Sequence, residues 1–403
     1  MVKQIIKLSL LLIIGSLIFT TCEDKGELKE KIIKFSKTFG GDENDAGSSV
    51  QQTSDGGYII TGWTDSFGNG RSDIWLIKID TQGNEEWNQT FGGSKYDRGS
   101  SVQQTTDGGY IITGRTSSFG NGESDVWIIK TNSEGIEEWN RTFGGESEDL
   151  GLSVQQTTDG GYIIAGRTSS FGNGVGDAWL IKTDSNGNDE WKQTFGGSNY
   201  DLSYSVQQTT DGGYIMTGGT FSFSNGQSDV WLIKTDSEGI EKWNQTFGGR
   251  NSEFGLSVQQ TTDGGYIISG GTDTFWSNGQ SDFWLIKTDS EGIEEWNQIF
   301  AGSGGELGLS VQQTSDGGYI ITGGKVSYVG ASSGLWLIKT DSQGAEEWEQ
   351  NFGGIEYNVG SSVQQTTDGG YIITGVTGSF GNGGWDIWLI KTDLDGNTVP
   401  IGN

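Results

Sequence analysis

The chain repeats itself at a nearly constant interval, and that interval restricts its fold more than any other feature. The marker Phe-Gly-Gly falls at Phe39, Phe91, Phe143, Phe195, Phe247, Phe300 and Phe352, with Ala301 replacing the first glycine of the sixth copy. The steps are 52, 52, 52, 52, 53 and 52 residues. A period this regular implies one supersecondary unit that buries its apolar face only against copies of itself. In the first unit Ser49-Val50-Gln51-Gln52-Thr53 leads to an Asp55-Gly56-Gly57 turn and then to Tyr58-Ile59-Ile60-Thr61-Gly62. A glycine-rich loop follows around Phe67 to Asp73, then Trp75-Leu76-Ile77-Lys78, a polar turn, and Glu86-Trp87-Asn88-Gln89-Thr90-Phe91.

Four short β-rich runs bounded by Gly, Asp and Asn read as four strands, A to D. The Asp-Gly-Gly between A and B supplies the positive φ of a tight hairpin. No helical period is sustained, and the only proline is Pro400. The expected fold is all-β, a seven-bladed β-propeller of four-stranded antiparallel blades, a closed ring with few exposed sheet edges. The alternative, an open solenoid, requires parallel coils and usually a shorter period. The chain ends favour the ring. The strand-D tryptophan occurs at Trp87, Trp139, Trp191, Trp243, Trp296 and Trp348, and the seventh unit stops after strand C and a turn. The missing strand stands at the other end, in residues 32–39. An N-terminal strand that completes the last blade latches a ring; a solenoid has no use for it.

Before the repeats, Lys3 and Lys7 precede an apolar run from Leu8 to Phe19. That run is too short for a membrane span, which needs about 20 residues, and suits the core of an export signal. The only cysteine, Cys22, lies just beyond it. Phe19-Thr20-Thr21-Cys22 resembles the lipobox of bacterial lipoproteins, with Phe where Leu is usual and Thr where Gly or Ala is usual. The resemblance implies lipidation at Cys22 and anchoring in the cell envelope. A secreted protein cleaved near Thr21 is the alternative. Glu23 and Asp24 resemble the acidic stretch of surface-exported lipoproteins. The expected organisation is a signal peptide (1–21), a lipid-anchored tether (22–31), the propeller (32–397) and a tail (398–403).

Composition excludes several kinds of chemistry. With 53 acidic and 24 basic residues the formal net charge is −29, which opposes sequence-independent binding to nucleic acid. No histidine is present, which removes histidine-based catalytic units and histidine-ligated metals, and one cysteine allows no internal disulfide.

The segment Lys182-Thr183-Asp184-Ser185-Asn186-Gly187-Asn188-Asp189-Glu190-Trp191 resembles the tryptophan-docking motif of quinoprotein-type propeller repeats. The resemblance implies that the indole docks between neighbouring blades. The metal and charged residues that surround a quinone in such proteins have no counterpart here. The whole repeat also resembles uncharacterised propeller repeats of secreted microbial proteins, a likeness that implies no activity.

The Trp75 and Trp87 columns read as packing between blades rather than as sugar platforms. Gln51 and Gln52, present in every unit, read as amides that satisfy neighbouring backbone groups, with a polar channel as the alternative. The sequons at Asn88, Asn140 and Asn244 lie inside strand D and read as by-products of the repeat. In an A-B-C-D meander the D–A and B–C loops share one face. That face receives two acidic columns, one beginning Asp45, Asp97, Asp149 and Asp201, the other beginning Asp73 and Asp125. Each Asp is expected to cap its own turn; a ring of carboxylates holding calcium is the alternative. No other cofactor is implied.

The candidate ligand site lies where the repeats disagree. The residue after the strand-B glycine is Trp63, Arg115 and Arg167, then Gly219, Gly271, Gly324 and Val376. Nearby loops add Arg71, Tyr96 and Arg98. An indole beside guanidinium groups suits an anionic sugar or an acidic peptide; covering of loop backbone is the plain alternative. A non-catalytic binding scaffold for a glycan, peptide or protein at the envelope is the expected function, with a monomer and no nucleic acid. The alternatives are an envelope-assembly lipoprotein, similar in outline to those that support membrane-protein insertion, and a propeller lyase or glycosidase using paired carboxylates. No acid–base pair unique to one unit is visible.

Overall fold

A computed structural model describes residues 32–272, 281–301, 305–326 and 334–401. Cys22 and the segments expected to be a signal and a tether lie outside the described residues. The described chain forms seven four-stranded antiparallel sheets, the blades of a β-propeller. In the first unit A is Asp45–Gln52, B is Tyr58–Thr64, C is Asp73–Ile79 and D is Glu85–Phe91. Strand A is longer than its S-V-Q-Q-T segment, and Asp45 and Asp73 are the first residues of A and C rather than loop residues before them. Register aligns Asp45 with Thr64 and Thr64 with Asp73, so both acidic columns stand at the loop-facing ends of the strands. A bulge between Gly47 and Ser49 re-aims the start of strand A in the first unit. Gly56, at φ 85°, makes the A–B hairpin.

The ring closes as expected. Phe35–Phe39 pairs antiparallel with strand C of the last unit, Phe35 opposite Lys391 and Phe39 opposite Ile387. Its ring takes the role that an indole has in the other blades. Phe35 packs edge-on against Tyr58 at 6.0 Å, as Trp87 packs against Tyr110 at 5.8 Å. A Cβ on Gly135 would come within 2.5 Å of the Trp87 indole, and one on Gly83 within 2.9 Å of the Phe35 ring. The indole of one unit thus occupies a notch in the C–D turn of the next, and a side chain at that glycine would push it out.

Each core cluster joins two adjacent blades. Ile59, Ile74 and Leu76 of unit one pack with Tyr110, Ile112 and Trp127 of unit two. The Trp75 indole is 4% exposed and donates to Asn88 Oδ1 at 3.1 Å, while Asn88 Nδ2 donates to Glu85. The same Trp–Asn bond recurs at Asn140 and Asn244, so each sequon amide has a framework role. A column that sequence reading passed over is the lysine next to the end of strand C. Lys78 is 3% exposed and its ammonium lies 2.9 Å from both Asp55 of the A–B turn and Glu86 of strand D. Burial works against ionisation of Asp55, but hydrogen bonds from Thr53, Lys78 and Gly57 outweigh it and hold the carboxyl at about 2.

The glutamines form a closed circle about the axis. Gln51 Oε1 accepts the backbone N–H of Gln104 at 2.6 Å, and the pattern passes round the ring until Gln364 Oε1 accepts from Gln52 N at 2.6 Å. Gln104 Oε1 accepts from Ser54 N in the preceding unit. These amides satisfy backbone donors, and the first of each pair, Gln51 and its counterparts, also lines an axial channel of about 250 Å³ with the valines of the same strands. Both readings of the glutamine pair hold at once.

Candidate functional site

The loop-bearing face combines two kinds of residue: acidic columns repeated from blade to blade, and side chains that occur once. In the repeated set, Asp97 is fully buried. Its carboxylate accepts from Thr116 Oγ1, from Ser118 Oγ at 2.6 Å and from Gly93 N at 2.9 Å. Asp149 and Asp201 are held by the same donors of their own units. Asp45 accepts from Ser66 Oγ and Gly41 N, both at 2.8 Å. Asp73, 1% exposed, accepts from Asn69 N through Oδ2, while its Oδ1 has no donor among the described residues.

The two columns meet between blades. At Gly40 a Cβ would sit 1.7 Å from Asp386 Oδ1 and 2.9 Å from Asp45 Oδ2. Those oxygens are therefore within ~5 Å of each other, close enough for strong like-charge repulsion. Burial, then the Asp45 charge, raises Asp386 to about 7 against the opposing Asn382 N–H. Burial likewise raises Asp73, Asp125 and Asp177, followed by hydrogen bonds that oppose it and by the neighbouring carboxylates Asp97, Asp149 and Asp201 that add to it. Among the described residues no three Asp, Glu or Cys side chains converge as a metal cluster.

The singular residues form a connected band. The Arg98 guanidinium lies 4.0 Å over the Trp63 ring and 5.6 Å from Tyr96, and Arg71 sits 5.5 Å from the same tyrosine. Arg98 also donates to Ser72 Oγ at 3.3 Å. Among the described residues neither Arg71 nor Arg98 is in a salt bridge. Burial, then the charge of Arg115, presses the Arg98 pKa below its ordinary value, with Asp65 and Tyr96 opposing. Arg115 is the cross-strand partner of Arg98 and reaches Glu148 at 3.5 Å. Arg167 is 8% exposed and binds Glu148 and the Tyr200 hydroxyl. The structure therefore brings Trp63, Arg71, Tyr96 and Arg98 together and places Arg115 and Arg167 next to them on a shared carboxylate. Arg167 is the least available of the six.

The variable position after the strand-B glycine also has a packing role. Its side chain faces the unit that follows: Trp63 against Arg98, Arg115 against Glu148, Arg167 against Tyr200. Where it is glycine, the next unit fills the space. A Cβ at Gly219 would lie 2.4 Å from Phe254, at Gly271 2.7 Å from Leu307, and at Gly324 2.3 Å from Val359.

Sequence reading missed a second singular feature. Tyr200, Tyr204, Phe221, Phe254, Leu256, Leu307 and Leu309 line a cavity of about 520 Å³ in units four to six. Its signal was in the repeats: the position before the last serine of strand A is Ser48, Ser100 and Ser361 in units one, two and seven, but Leu152, Tyr204, Leu256 and Leu309 between them.

No family model matches the chain, and no curated protein matches it. Solved structures share its fold at low identity. The Pan2 WD40 domain of Neurospora crassa is 12% identical with a TM-score of 0.52, covering 89% of this chain and 91% of that one. A puromycin hydrolase S511A mutant complexed with PGG is 10% identical at TM-score 0.50, covering 87% of this chain and 52% of that one. YCF48 bound to D1 peptide is 11% identical at TM-score 0.49, covering 90% and 95%. The likeness is one of fold alone.

Proposed function

We propose that this protein is a non-catalytic binding scaffold that holds a peptide or protein on the loop-bearing face of the propeller. One observation carries the reading: the blades repeat at the core, the channel and the opposite turns, and they lose their symmetry on this face, in Trp63, Arg71, Tyr96, Arg98, Arg115 and Arg167. A role shared by every blade keeps one residue in all seven, as it does for the strand-C lysine, whereas these side chains change from unit to unit. Guanidinium groups stacked on aromatic rings keep their charge available to an anionic partner. In a protein of net charge −29 they form a local cationic patch that concentrates such a partner. The carboxylate pairs argue for structure rather than for glycoside or lyase chemistry, since they recur between blades and their donors come from their own turns. The reading requires no cofactor.

The N-terminal segment supports display at the cell envelope through a lipid on Cys22, with secretion as the alternative. Cys22→Ser should abolish metabolic incorporation of labelled lipid, and absence of label in the unaltered protein would remove the anchor. The binding reading is tested by capture of partners from envelope extracts with the unaltered protein and with a Trp63→Ala, Arg98→Ala, Arg115→Ala variant. Equal capture by a folded variant would refute this placement of the site.

A further inference from the structure

We infer that the apolar cavity of units four to six is an anchor pocket, and that the partner is an extended peptide with one bulky apolar side chain for that cavity and acidic residues for the arginines of units one to three. This deepens the binding reading and rests on it. The cavity holds seven aromatic or aliphatic side chains and few polar groups, among them Ser252 and Ser281. Such a lining rewards removal of an apolar group from water and offers a sugar little hydrogen bonding. Its aromatic and leucine residues are half-buried rather than sealed in a core.

The cavity is joined to the cationic patch by one cross-strand pairing and a run of side-chain contacts. Arg98 pairs across strands with Arg115, Glu148 joins Arg115 to Arg167, and Arg167 lies 4.9 Å over Tyr200. Tyr200 meets Phe221 at 5.9 Å, and Phe221 meets Phe254 at 5.9 Å. Both tyrosine and phenylalanines belong to the cavity wall. One ligand that follows this band meets cations first and an apolar recess afterwards, over several blades. An extended peptide gains about 3.3 Å per residue, so a nonapeptide reaches about 30 Å and can follow the band over several blades. Charge complementarity fixes the sign of its polar part, because Arg71 and Arg98 have no carboxylate in salt-bridge range among the described residues.

The test is a positional-scanning nonapeptide library, with the best sequences measured by fluorescence anisotropy against the full chain. Selection is expected for Phe, Leu or Trp at one position and for Asp or Glu several residues away. Two variants separate the parts. Leu256→Ser with Leu309→Ser uses the residue that units one, two and seven already carry at this position, so the blades keep their fold; it should weaken binding about tenfold and erase the apolar preference alone. Arg71→Gln with Arg98→Gln should erase the acidic preference and flatten the salt dependence. Acidic selection without an apolar position would overturn the anchor pocket and leave the binding reading standing. No selection at either position would overturn both. Binding of a dansylated medium-chain fatty acid that Leu256→Ser with Leu309→Ser abolishes, with no peptide selected, would overturn the peptide in favour of a lipid.

Discussion

Replacing Asp386 by Asn tests the carboxylate pairs at the place where the ring is closed. Asp386 is 1% exposed, belongs to the last blade, and faces Asp45 of the first. Its carboxyl is raised from 3.8 to about 7, chiefly by burial and then by the Asp45 charge. The folded state therefore retains a proton that the unfolded chain loses near pH 4. Between those values the folded state binds more protons, so stability falls as pH rises toward 7 and is regained as pH drops toward 4. About 3 pKa units at 1.36 kcal/mol each set an upper bound near 4 kcal/mol, and sharing of the proton with Asp45 reduces it to roughly 2–4 kcal/mol. Asparagine keeps the shape, removes the charge and offers Asp45 an N–H donor. Urea unfolding at pH 5, 6.5 and 8 should show Asp386→Asn more stable by that amount at pH 8, with the advantage shrinking toward pH 5. Equal stability at pH 8, or an advantage that does not change with pH, would refute the pairing.

Asp55, Asp107, Asp159 and Asp211 act in a separate window: held at about 2 by hydrogen bonds and their lysines despite burial, they support the fold above pH 4, and that support should vanish as pH falls through 2. Deleting residues 32–39 should leave strand C of unit seven as a bare edge and cause aggregation visible by light scattering, whereas deleting residues 22–31 should leave the melting temperature unchanged. Phe35→Ala alone should cost about 3–5 kcal/mol in urea unfolding, because it empties the notch at Gly83. In unit four Lys242 replaces the glutamate that pairs with the strand-C lysine in units one, two, three, five and six; Lys242→Glu should give Lys234 its second carboxylate and add about 0.5 kcal/mol of stability. Chelation with EDTA should leave Tm unchanged, since the oxygens of Asp97, Asp149 and Asp201 are taken by hydroxyl and amide donors; a fall of several degrees would favour the calcium reading.

The blades and the hairpins were legible because each is a column demanded seven times, and a demand repeated in every unit shows through local variation; the latch was legible because the strand-D tryptophan occurs only six times. The strand-C lysine was not. A lysine near the end of an apolar strand reads as a tip reaching solvent, and only the fold brings the A–B turn and strand D around it. The acidic columns were legible as residues but were placed in loops, since an Asp beside glycine reads as a turn signal and strand pairing extends one bulge further than the β-branched run. Trp63, Arg98 and their neighbours were found by asking where the units differ. The same question at the serine of strand A would have reached Tyr204, Leu256 and Leu309. What the sequence did not hold was the complementarity across blades, because Gly219 and Phe254 meet only when the ring is formed.

That complementarity limits how the chain can gain or lose repeats. The cores are alike enough for one unit to stand in for another, so slippage between near-identical repeats could delete or duplicate a blade without harming the packing around its tryptophans. The loop-bearing face would not survive the exchange. Loss of unit two would set Trp63 beside Leu150 and remove the guanidinium it supports, and a second copy of unit four after itself would leave the space over Gly219 with Leu202 where Phe254 belongs. Each unit is matched to its successor at this edge, so the order of the blades is written into the face while their number is left to the core.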